Sequence, residues 1–482
     1  MQRRHVLGAA SAAALALAST ALLPAQPTYD PWAWVVWGRE LVQGSLDTSA
    51  GPSWKPLPPI VIAALSPLRL LSETLPATVW VLAVRFAAIV GIVLTARLAV
   101  ALARSAWPER RDFAVPAALL AAAALLAGGG FLRYFAAGSD APLAVSFAAL
   151  GALALLSGRP RLGACALALL VLVRPEATPI FAFVAWRAFS PRAAAAALAA
   201  VVALWTVPEW VGSGDPLGAF KQAASRPSWA ASNADDPVLA SLGEAARLLG
   251  PVTLAGLVAA SLALLARRRR ATGAARWLLG ITFAWVAAVA GSTALGFSGN
   301  ARYYAPIVPL AAALAAVGLV QVIAFVDGRG ARCSPLVALV PGAGLLVAGA
   351  ALASSFGAVR ERMDAEASLA RALAAAPPAI GARVPASSAR EGLAGARRLI
   401  EAGTLRVDRP FQTHAAYILG VPIVAVERPR TKLPRYALDH PRIPTAKERR
   451  GSQLRASLGR AARERWRLLA TIDGWRIIVR SD

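Results

Sequence analysis

Apolar stretches long enough to cross a hydrocarbon core recur along most of the chain, and the charges between them are gathered into short clusters. In lipid such stretches must satisfy their own backbone polar groups, which a helix does within one segment. A membrane β-barrel would need apolar and polar residues alternating with period two, and runs such as Ala121 to Leu126 and Ala194 to Ala200 do not alternate. Spans are expected near residues 6–23, 76–103, 113–131, 139–157, 161–173, 176–189, 193–212, 250–266, 276–297, 303–325 and 335–356. The pair flanking Arg174 reads either as two short spans or as one bent helix. The expected fold is an all-α polytopic membrane bundle of about ten or eleven transmembrane helices. Composition agrees: the 482 residues are 57% hydrophobic and only 16% charged, where a soluble protein carries about a quarter.

The net charge of +25 would suit nucleic acid, but much of it falls in short loops between spans, where lipid head groups are the natural counter-charge. No nucleic-acid partner is expected. Short cytoplasmic loops are enriched in Lys and Arg. Counting from Arg3 and Arg4, every second connection is basic: Arg104, Arg110 and Arg111; Arg159 and Arg161; Arg187 and Arg192; Arg267 to Arg270 with Arg276; Arg329 and Arg332. The intervening connections are long or acidic, and they are expected to face outward. That register holds if the chain breaks at Arg174-Pro175. The N-terminus reads either as a cleaved secretory signal or as an uncleaved first span, and the many spans that follow favour the second. Cys165 in a span and Cys333 in a loop lack the spacing of a metal or redox pair, and His5, His414 and His440 are too scattered for a metal site.

Residues 1–357 are thus expected to form the transmembrane domain, with a first outer loop over 24–75. Residues 358–482 mix apolar runs such as Ala415 to Val426 and Arg476 to Val479 with charges and prolines, and should form a small, soluble α/β domain outside the membrane. An alanine- and arginine-rich composition points to a high-GC bacterium and its plasma membrane.

Polar residues with chemical potential cluster at the outer ends of spans. Asp30 follows the first span among Trp32, Trp34 and Trp37, which alone would read as an interfacial aromatic belt. Lys55-Pro56 precedes a run, Leu57 to Leu71, that reads as a helix lying in the interface or packing on the bundle. Asp140 in GSDAPLAV stands at a span start, where it or Ser139 would also serve as an N-cap. Arg174 and Glu176 lie in LVLVRPEATP, and Arg302 and Tyr303 in NARYYAPIVP. Arginines at span ends also snorkel to head groups. Arg85, inside a span, is either packed against protein or near a lipid phosphate.

Taken together over residues 1–325, these strings resemble the GT-C membrane glycosyltransferases, the superfamily that includes protein mannosyltransferases and the aminoarabinose transferase. The resemblance implies transfer of a hexosyl or pentosyl group, with inversion, from a polyprenyl-phosphate sugar to an extracytoplasmic glycan, lipid or protein acceptor. Asp30 matches the first-loop acidic residue and Asp140 a second acidic position. Lys55, Arg174, Arg302 and Tyr303 would then bind the donor phosphate. A first-loop pair of acidic residues separated by one position is absent, since Pro31 and Trp32 follow Asp30, so a divalent metal (Mg or Mn) held by Asp30 and Asp140 stays an open expectation. The rival readings are a transporter or lipid flippase using the same outer cavity, and a non-catalytic scaffold displaying the tail.

Overall fold

The computed structural model describes residues 2–106, 111–225, 230–266, 273–326, 335–381, 388–427, 434–440 and 466–480. Arg110, Arg267 to Arg270, Arg329, Arg332 and Cys333 lie outside the described residues.

The helices, in chain order, are α1 (Gln2–Ala18), α2 (Tyr29–Gln43), α3 (Leu57–Ala64), α4 (Leu75–Ala106), α5 (Ala114–Ala127), α6 (Phe131–Ala136), α7 (Ala141–Leu156), α8 (Pro160–Val171) and α9 (Thr178–Ala188). They continue as α10 (Pro191–Ser213), α11 (Gly218–Ala223), α12 (Pro237–Ala266), α13 (Gly273–Ala294), α14 (Val308–Val326) and α15 (Pro335–Ala379). Among the described residues, six helices are long and apolar enough to cross a membrane, and shorter apolar helices cover Val6–Ala21, Ala114–Ala127, Ala141–Leu156 and Pro160–Val171. The chain is a multi-pass membrane protein. The break expected at Arg174-Pro175 is present: Arg174 is extended (φ −140°, ψ 91°) between α8 and α9, because a following proline disfavours helical geometry. Gly250 (φ 75°) and Pro251 likewise break α12.

Two features depart from the sequence reading. The first outer loop carries a full helix, α2, and its tryptophans do not form a lipid-facing belt: Trp32, Trp34 and Trp37 are at most 1% exposed. Trp32 stacks on His414, Trp34 meets Trp80 edge-on, and Trp37 leans on Trp54. The Leu57 to Leu71 run is only in part a helix, α3, which sets Pro58, Pro59 and Ile62 inward, while Leu70 and Leu71 beyond it are exposed.

Helix α15 runs from the last span into the tail without interruption. Beyond it are α16 (Ala389–Glu401), opened by a reciprocal Ser388–Glu391 capping box, then β1 (Leu405–Val407), α17 (Gln412–Leu419), α18 (Ile423–Glu427), β2 (Tyr436–Asp439), β3 (Trp466–Ile472) and β4 (Trp475–Arg480). The strands form one sheet in the order β1-β2-β4-β3, with β1 and β2 parallel and the other pairs antiparallel. Phe411, Trp475, Val407 and Ile477 are buried in its core, so the tail is the small α/β domain expected. It docks on α2 and the first loop: Arg39 Nη2 donates to Val421 O (3.1 Å), and Tyr417 Oη to Glu73 O.

Candidate active site

Two cavities meet at one mouth of the bundle. One, about 300 Å³, is lined by Lys55, Arg174, Glu176, Trp205, Phe220 and Phe297 among others. Its neighbour, about 230 Å³, is lined by Tyr29, Arg133, Tyr134, Gln222, Ser298 and Asn300, and by Arg362, Arg409 and Pro410 of the tail side. Asp30, Ser53, Ala223, Arg302 and Tyr303 belong to both walls. The first chamber is flanked by aromatic rings and the second by hydroxyl, amide and guanidinium groups.

The charged residues come from far apart in the chain and are paired. Asp30, in the first turn of α2, accepts from Arg302 Nη1, with both side chains partly exposed to the cavity. Arg302 sits on a short 3-10 turn, Ala301–Ile307, that leads into α14. Asp140 is fully buried; Lys55 Nζ donates to its Oδ2 at 2.5 Å and Arg174 Nη2 approaches the same oxygen at 3.0 Å. Lys55 also lies over the Trp34 ring, 5.5 Å from its centroid, and Arg174 over Tyr303, at 5.3 Å. The turn before Asp140 is fixed by Gly138 (φ 70°), whose carbonyl accepts from Trp80 Nε1.

Electrostatics follow from these pairs. Burial works against the Asp140 carboxylate, but Arg174 and then Lys55 overcome it and hold its pKa below the usual range. Burial pulls the Lys55 ammonium down to about 8, although Asp140 opposes the shift. Among the described residues, Nε of Arg174 and Nε of Arg302 are buried with no hydrogen-bond acceptor, and an unmet buried donor is costly until an acceptor reaches it.

The six residues singled out from the sequence, Asp30, Lys55, Asp140, Arg174, Arg302 and Tyr303, are thus brought to one mouth. Asp140 makes no side-chain cap bond; Ser139 Oγ takes that role, accepting from Ala141 N at 3.4 Å. Arg85 does not approach the cavity: Ser19 Oγ and the carbonyls of Leu23, Pro24 and Ala136 accept from it. Arg133, Arg362 and Arg409 also line the mouth, with no motif in the sequence to mark them. The latter two arrive by docking of the tail, for which no local pattern exists. As for a metal, the described residues hold no group of three or more His, Cys, Asp or Glu that would bind one. Asp30 and Asp140 each already face a cation, so this donor set suits an anion beside arginine and lysine better than a divalent ion.

No protein-family model matches the chain, and no curated protein matches it. Among solved structures it is similar to ArnT from Cupriavidus metallidurans bound to undecaprenyl phosphate, at 15% identity and TM-score 0.48 over 99% of this chain and 98% of that one. The apo state of the same protein gives 15% identity and TM-score 0.49 over the same shares. The archaeal oligosaccharyltransferase AglB from Archaeoglobus fulgidus, in complex with an inhibitory peptide and a dolichol-phosphate, gives 17% identity and TM-score 0.39 over 72% of this chain and 56% of that one.

Proposed function

We propose that the protein is an inverting glycosyltransferase of the GT-C type, moving a sugar from a polyprenyl-phosphate donor to an acceptor on the extracytoplasmic side of the membrane. One observation carries the reading: a carboxylate, Asp30, stands on the wall between two chambers, with cations from three distant segments converging on the same mouth. The aromatic chamber with Lys55 and Arg174 suits the lipid phosphate, and the polar chamber suits the acceptor.

Binding begins with charge. A phosphate oxygen supplies the acceptor that Nε of Arg174 and Nε of Arg302 lack, and it competes with Asp30 for the Arg302 guanidinium. As Arg302 turns to the phosphate, Asp30 is released to accept the proton of an acceptor hydroxyl. The hydroxyl oxygen attacks the anomeric carbon from the face opposite the leaving group. The carbon–oxygen bond to phosphate breaks, its electron pair stays on the polyprenyl phosphate, and Lys55, Arg174 and Arg302 neutralise the charge that develops. Direct displacement inverts the anomeric centre, and no residue here is assigned as a covalent nucleophile.

Asp30 lines both chambers, and Asp140 is buried behind Lys55 and Arg174; gathering of the acidic groups at one end of the bundle favours the transferase over a transporter or flippase. The test is purified Asp30→Asn in lipid nanodiscs, assayed with an undecaprenyl-phosphate sugar in the presence and absence of chelator. The variant should keep its melting temperature and lose at least about 100-fold in turnover, in the range expected for a general base. The wild type should work in EDTA. Full turnover by Asp30→Asn would remove Asp30 from the chemistry, and translocation without a glycosyl product would favour the flippase.

A further inference from the structure

We infer that Glu427, the last residue of α18 in the C-terminal domain, is a positioning residue that sets where Asp30 stands relative to Lys55; the inference rests on the reading of Asp30 as the base. The two Glu427 carboxylate oxygens hold two separated points of the first outer loop. Tyr29 Oη donates to Oε1 at 2.5 Å, directly beside Asp30, and Gly51 N donates to Oε2 at 3.0 Å, shortly before Lys55.

Both points are braced from the tail. The N-cap of α2, Thr28, makes no side-chain cap bond, so the first turn carrying Asp30 lacks the usual local anchor. The tail supplies it instead: besides Glu427, Thr413 Oγ1 donates to Tyr29 O at 2.7 Å, and His414 stacks on Trp32 with ring centroids 4.0 Å apart and 9° between planes. At the second point Gly51 is left-handed (φ 99°), and a Cβ there would lie 3.2 Å from both Ile423 Cδ1 and Trp37 Cζ2, so α18 and α2 both rest against bare backbone. From α11, Gln222 Nε2 donates to the Gly51 carbonyl at 2.7 Å. Burial pushes the Glu427 pKa up, and Tyr29 and Arg409 oppose the shift; an apolar side chain of similar size would accept neither bond.

The consequence is specific. Glu427→Leu keeps a side chain of similar size and can accept from neither Tyr29 nor Gly51. The Asp30-to-Lys55 spacing then loosens while Lys55, Asp140 and Arg174 keep their own contacts. Turnover should fall by about 10- to 100-fold, the scale of an ångström-sized misplacement, and affinity for undecaprenyl phosphate should not change. Tyr29→Phe should cost a similar factor, and the double variant little more than either single one.

The experiment uses the full chain in nanodiscs and reads three quantities for wild type, Glu427→Leu, Tyr29→Phe and the double variant. These are turnover of an undecaprenyl-phosphate sugar, the Kd of undecaprenyl phosphate, and amide exchange over residues 28–33. Exchange there should quicken about tenfold or more in the variants at unchanged Kd. Unchanged exchange, or additive losses in the double variant, would overturn the positioning role. Exchange needs no turnover, so a wild type that transfers no sugar would sink the transferase reading while the role of Glu427 is still decided.

Discussion

Lys55, Asp140 and Arg174 form a buried triad in which one carboxylate faces two cations, and the surplus positive charge is what a lipid phosphate would meet. Burial has already drawn the Lys55 ammonium down to about 8. A lysine with a lowered pKa is charged below that value and neutral above it, so the site should bind phosphate well at neutral pH and lose affinity as pH rises through about 8. The Kd of undecaprenyl phosphate measured from pH 6.5 to 9.5 should rise about 10-fold, the worth of one charge-assisted contact of some 1.5 kcal/mol. Lys55→Met should be weaker throughout and show no inflection; an inflection that survives in Lys55→Met would assign it to another group. Which residues matter was legible in the sequence, because a charge at the end of an apolar run is a local signal. Who pairs with whom was not: Asp30 and Arg302 are separated by 272 positions, and no spacing rule reaches that far. Arg85 shows the converse. Its charge inside a span is open to packing against protein or to a lipid phosphate, and the structure shows the first: it ties the chain after α1 to α4 through backbone carbonyls.

Spans were readable as elements because their hydrophobic length is dictated by the bilayer, and the Arg174-Pro175 break because proline dictates the geometry of the residue before it. Helix α2 was not readable. Its tryptophans, Ala33, Val35 and Val36 are buried on nearly every side, so over this stretch it carries no polar face whose period would announce a helix. Its burial comes from the tail and the bundle together. Helix packing sets the position of Arg302 in a similar way, through α14 and its neighbour α12. A Cβ at Gly318 would lie 2.5 Å from Ala260 N, and one at Gly256 would lie 2.6 Å from Ala315 Cβ, so the two backbones approach as closely as small residues permit. Gly318→Val should force them apart at a cost of about 1–3 kcal/mol, seen as a lower melting temperature in detergent. Because α14 begins just after Arg302, affinity for undecaprenyl phosphate should fall with it. A variant with wild-type melting temperature and affinity would show that the close approach is not needed to hold the site.

At the scale of the whole molecule, every segment that lines the two chambers lies at one end of the bundle. The connections after α1, α6, α8, α10 and α13 open there, and α15 delivers the tail domain to the same end. Arg104 and Arg187, in the last turns of α4 and α9, and Arg159, between α7 and α8, lie at the helix ends away from the chambers. Positive loops mark the cytoplasmic side, and a basic tail does not contradict this, since long segments cross largely regardless of charge. The cavity and the tail should therefore face away from the cytoplasm, where a lipid-linked sugar, and not a nucleotide sugar, is the donor within reach. Single cysteines test this in a background of Cys165→Ser and Cys333→Ser. Arg397→Cys on α16, half exposed in its ion pair with Glu401, should react with a membrane-impermeant maleimide in intact spheroplasts. Arg159→Cys, exposed between α7 and α8, should react only after permeabilisation. The reverse pattern would turn the chambers toward the cytoplasm, and the geometry around Asp30 would then have to serve a donor from that compartment.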